Sequence, residues 1–149
     1  MGACGDDGLE VGAYRLTIPE GWSSNYRVDG PARVATLVSP GHELACELTV
    51  LSDGRSFGDD DSRAWVGDAR RVFGDRGEIR TEVELGGATL QGRTLTGATP
   101  RARWDLAGSA PATVEAVAAG QGAELVGLVI GYREPRPELR QICLNAIRR

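Results

Sequence analysis

Apolar side chains recur at every second position through most of this chain, and the few departures from that period mark its helices. In residues 13–18, Tyr14, Leu16 and Ile18 alternate with Arg15 and Thr17, which predicts a strand running into the Pro19-Glu20-Gly21 turn before Trp22. The Asp29-Gly30-Pro31 turn leads to a second strand over 33–38. In residues 43–51, Leu44, Cys46, Leu48 and Val50 alternate with Ala45, Glu47 and Thr49, so Cys46 points inward. The period changes over 59–73, where Trp65, Ala69, Val72 and Phe73 form a helical stripe. Asp59, Asp60, Asp61 and Ser62 offer N-cap oxygens to this helix, and Gly74 a C-cap. Strands over 79–85 and 88–96 flank a Gly86-Gly87 turn, and 101–106 is a shorter candidate strand. Residues 112–118 and 124–132 flank a turn at Gly120-Gln121-Gly122. A last helix over 137–148, entered through Pro135 and Pro137, places Leu139, Ile142, Cys143, Ala146 and Ile147 on its apolar stripe. Residues 1–12, with four glycines and three acids, read as a tether. Hairpin-length connections dominate, so the expected class is α+β, with a mostly antiparallel sheet of about 6–7 strands and two main helices covering its faces.

Composition narrows the chemistry more than it names it. A chain of 149 residues is one domain's length and buries enough surface to fold without a metal. No apolar run approaches the roughly 20 residues of a membrane-spanning helix. All 17 basic residues are Arg, which removes P-loop and Schiff-base lysine chemistry. A net charge of −4 argues against nucleic acid as a partner. The acids concentrate early: 7 Arg face 13 acids in residues 1–75, against 10 Arg and 8 acids in 76–149. His42-Glu43 begins like a zinc-protease motif, but its fifth position is Cys46 and the chain has no second His. Asp59-Asp60-Asp61 lacks calcium-loop spacing, and Gly120-Gln121-Gly122 is not a dinucleotide fingerprint. No catalytic residue, metal or cofactor is expected; a small hydrolase, which would need a deep polar cleft with converging acids, is the third reading.

The three cysteines divide by context. Cys4 follows Met1-Gly2-Ala3 and precedes Gly5-Asp6-Asp7-Gly8, small residues and then a polar tether, as at the lipidated Cys of a bacterial lipoprotein. The charged and apolar stretch that should come first is absent from this sequence, and an ordinary flexible tail is the competing reading. Cys46 and Cys143 both face inward, either bridged in an exported protein or reduced and packed as small hydrophobes. Trp22 reads as a plug beside the sheet. Trp104 with Arg101 and Arg103 is a candidate partner-binding surface, with an inward-facing Trp104 as the alternative.

The order of these elements resembles a family. A strand runs into Ile18-Pro19-Glu20-Gly21-Trp22, followed by two strands, an amphipathic helix, paired strands around a Gly turn, a long hairpin and a terminal helix with Leu-x-x-Ile-x-x-x-Ile spacing. This is similar to the PsbP-like fold of the photosystem extrinsic protein, shared by LpqN-type bacterial lipoproteins and a Ran-binding nuclear import factor. The resemblance spans roughly 13–149 and implies an α/β/α sandwich that binds or assembles without catalysis. A weak strand over 101–111 departs from it, and only the lipoprotein branch agrees with Cys4. The expectation is a monomeric, non-catalytic, lipid-anchored cell-envelope protein of high-GC bacterial type, held to the membrane at Cys4 and binding an unidentified protein or small ligand. The alternative is a cytoplasmic binding or chaperone-like module of the same fold.

Overall fold

A computed structural model describes residues 8–73, 78–98, 113–134 and 136–149. In chain order the elements are β1 (Gly8–Val11), β2 (Tyr14–Thr17), β3 (Ser23–Asp29), β4 (Ala32–Val38), β5 (Leu44–Leu51), α1 (Asp59–Phe73), β6 (Glu78–Leu85), β7 (Ala88–Ala98), β8 (Thr113–Gln121), β9 (Glu124–Tyr132), α2 (Pro137–Ala146) and β10 (Ile147–Arg148). Seven strands form an antiparallel sheet in the order β3-β4-β5-β9-β8-β7-β6, and β1-β2-β10 form a smaller one. The class is α+β with two helices.

The two faces of the large sheet follow from the period of two. On one face Val114, Ala116 and Ala118 of β8, Val129 of β9 and Leu95 of β7 pack under Val66 and Ala69 of α1. On the other, Leu44, Cys46, Leu48 and Val50 of β5 and Val126, Leu128 and Ile130 of β9 meet Cys143 and Ala146 of α2. The small sheet roofs the same face with Val11, Tyr14, Leu16 and Ile147. Strand β9 lies between β5 and β8 and is covered on both faces, which is why Leu125–Ile130 reads as a nearly unbroken apolar run.

Several expectations shift by a few residues, each for a local reason. Within the tether expected over 1–12, Gly8–Val11 is instead a strand that pairs with β2, and Val11 is wholly buried. The terminal helix stops at Ala146 rather than continuing to 148, because Ile147 turns extended and pairs with Leu16 of β2. The last hairpin turns at Gly122-Ala123 rather than over 120–122, since Gly120 pairs with Leu125 and Gln121 with Glu124. Strand β3 was not expected at all: its seven residues are exposed on both faces, so Ser23–Asp29 carries no alternation to read. Helix α1 runs over 59–73 as expected, with Trp65 half-buried beside the buried Val66 and Ala69. Ser62, expected as a cap, is buried instead. Its hydroxyl donates to the Gly58 carbonyl and accepts the Gly120 N–H at 2.8 Å.

Candidate functional site

The site is a consequence of where α2 can sit. Arg136 precedes it, Pro137 opens it, and Cys143 forms a disulfide with Cys46 of β5, 97 residues earlier. The bridge holds the helix over the middle of the sheet, so the same face of β6, β7 and β8 lies beyond its cover. The result is a groove of about 280 Å³ lined by Thr81 and Val83 of β6, Thr94 of β7, Glu115 and Val117 of β8, and Arg140 and Leu144 of α2. Leu128 and Ile130 close its inner end. The volume lies near the lower end of small-ligand pockets, roughly 300–1,000 Å³.

One ion pair forms the polar wall. Arg140 donates from Nε to Glu115 Oε2 at 3.0 Å and from Nη2 to Oε1 at 2.6 Å. The Glu115 side chain is 13% exposed and that of Arg140 41%, so the carboxylate is nearly withdrawn from water while the guanidinium still faces the opening. The Glu115 hydrogen bonds raise the Arg140 pKa above its ordinary value. Burial pushes the Tyr132 phenol up as well, with the Glu115 charge adding to it and that of Arg140 opposing it. This forked pairing fixes both side chains more firmly than a single contact would. Replacing Arg140 with Ala strands the Glu115 carboxylate, and we expect a loss of about 2 kcal/mol in denaturant unfolding, largely recovered by Glu115→Gln in the same chain. If the two single variants and the double variant are equally stable, the pair contributes nothing.

Chemically the described lining of the groove offers hydroxyls, carboxylates and one guanidinium beside apolar side chains. His42 is exposed in a one-turn 3-10 segment, Pro40–His42, and the thiol of Cys46 is consumed by the bridge, so the His42/Cys46 metal pair cannot form. Among the described residues no three His, Cys, Asp or Glu converge as metal ligands. The Asp run serves the fold: Asp59 accepts from Arg93 of β7 at 2.8 and 3.2 Å, and Asp61 accepts the Gly58 N–H at 2.8 Å and Arg55 at 3.0 Å.

The structure brings the expected pair Cys46 and Cys143 together, and Trp22 is half-buried against the main core as expected. Cys4, Arg101, Arg103, Trp104, Gly74 and the candidate strand over 101–106 lie outside the described residues, as do the side chains of Val72 and Phe73. The groove was not anticipated. Its signal was the alternation in 79–85, which marks one face of β6 as apolar without saying that α2 stops short of it. No protein-family model, curated protein or solved structure matches the chain.

Proposed function

We propose that this protein is a non-catalytic binding or assembly module of the bacterial cell envelope. In this reading it has a PsbP-like fold of the LpqN type, is tethered to the membrane through Cys4, and takes its protein or small-molecule partner in the groove beside α2. The observation that carries the reading is the Cys46–Cys143 bridge, with both residues buried in the core. Structural disulfides persist in oxidising compartments and are rare in the cytosol. A groove without a nucleophile or metal cluster among its described residues suits binding better than turnover. A diacylated Cys4 would supply two chains, enough for stable anchoring where one chain is marginal.

Mass spectrometry of the protein from native membranes tests the reading. The N-terminal peptide is expected to begin at a lipid-modified Cys4, and Cys46 and Cys143 to resist alkylation in the unfolded, unreduced chain. Recovery of Met1 with an unmodified Cys4 would exclude the anchor. Labelling of both inner thiols without reductant would exclude the exported compartment and favour the cytoplasmic module.

A further inference from the structure

Among the described residues the large sheet has two open edges, and they differ. At one, β6 carries the exposed carboxylates Glu82 and Glu84, charges of the kind that keep an edge from pairing. At the other, β3 offers seven exposed residues, among them Tyr26 at 37% and Val28 at 61%, two of the three large apolar side chains exposed among the described residues. No Pro or bulge interrupts β3, whose register with β4 is continuous from Ser23–Val38 to Asp29–Ala32. A hollow of about 350 Å³, lined by Leu9, Glu10, Tyr26 and Arg33, lies beside it under β1.

The backbone decides which groups are on offer. The Asp29–Ala32 pair closes a two-residue Gly30-Pro31 loop. Such a closing pair is hydrogen-bonded, and every second pair beyond it likewise. Asp29, Arg27, Asn25 and Ser23 therefore direct their N–H and C=O groups to β4, while Ser24, Tyr26 and Val28 direct theirs outward. The outward groups form a short ladder centred on Tyr26.

We propose that β3 pairs antiparallel with β3 of a second copy, about a two-fold axis through Tyr26, to make one continuous sheet of fourteen strands from two copies of the seven-stranded sheet. The choice of occupant rests on self-complementarity. In this register Tyr26 faces Tyr26 of the second copy, Ser24 faces Val28, Asn25 faces Arg27 and Ser23 faces Asp29, so no like charges stand directly opposite. Arg27 and Asp29 make no ion pair with the described residues of their own chain, and both meet a neutral hydrogen-bonding side chain across the axis. A shift of two residues, centring the pair on Val28, runs β3 against Gly30, whose φ of +58° ends the extended backbone. A shift of one pairs Arg27 with Arg27. An isologous contact of this kind closes on itself as a dimer and leaves the Glu-bearing edge to solvent. The inference stands independently of the proposed membrane role and departs from the sequence expectation of a monomer.

Sedimentation of the full chain over roughly 1 μM to 1 mM tests it, a span that covers weak self-association. We expect a monomer–dimer equilibrium whose dissociation constant rises about tenfold or more in Tyr26→Lys, which sets two cations face to face on an exposed position. In a Cys4→Ser background, Tyr26→Cys should form a disulfide-linked dimer on oxidation, because hydrogen-bonded antiparallel residues lie about 5.5 Å apart, within the span of a disulfide. A chain that stays monomeric throughout overturns the proposal, as does a dimer indifferent to Tyr26→Lys. So does one that cross-links through Glu82→Cys or Val28→Cys and not through Tyr26→Cys.

Discussion

Loss of the Cys46–Cys143 bridge is expected to cost about 5 kcal/mol. The bridge spans 97 residues, and closing a loop of that length removes nearly that much free energy from the unfolded chain in the entropy model. Total stability for a domain of this kind is about 5–15 kcal/mol, so the loss leaves the fold marginal. The effect is larger than deletion of a typical core methyl group, because the bridge also carries α2. The packing of Leu139, Leu144 and Ala146 against the core depends on the helix staying over β5. Guanidinium unfolding of the wild type and of the Cys46→Ala/Cys143→Ala variant, each with and without reductant, checks it. Reductant should lower the wild-type midpoint to that of the variant and leave the variant unmoved. A difference below about 1 kcal/mol would mean that α2 is held by packing alone, against the chain-entropy expectation.

The second large effect is expected at Gly120, where a methyl group has no room. A Cβ built there would lie 2.5 Å from the Gly58 carbonyl oxygen and 2.9 Å from its nitrogen, both backbone atoms. The segment just before α1 is strapped across the end of the β8–β9 hairpin: Phe57 donates its N–H to the Gly122 carbonyl at 2.8 Å, and Gly120 donates its own to Ser62 Oγ. Gly120→Ala must push this strap away, breaking both hydrogen bonds and uncovering Phe57, which is 5% exposed. We expect about 3 kcal/mol of destabilisation, at the upper end of overpacking effects. Gly58→Ala is the control, since its Cβ would enter open space, and it should stay within about 0.5 kcal/mol of wild type. Equal effects at the two glycines would show that close approach is not the cause.

The parts of this fold legible from the sequence are those whose side chains are sorted by burial. Residues 44–51 alternate because one face of β5 meets α2 and the small sheet, so the inward side of Cys46 is legible from the period alone. Helix α1 announced itself by the switch of period and by its leading acids. Strand β3 could not be read, because exposure on both faces removes the sorting and leaves only the pairing partner to specify it. The end of α2 was misplaced for the opposite reason. Ile147 is as buried as a helical stripe requires, yet its burial comes from pairing with Leu16, a partner far along the chain that periodicity cannot see. The groove falls between these cases. Thr81, Val83 and Val117 lie on the correct face of their strands, but whether a face is roofed depends on how far a helix reaches, and that is set by the bridge.

The strand between residues 14 and 17 receives the first described strand on one side and the last on the other. Both thus hang on one shared strand, and if either peels away that strand loses one of its two pairing partners. Fraying of the first described strand is felt by the last through the strand they share, and the three behave as one latch over the apolar interior.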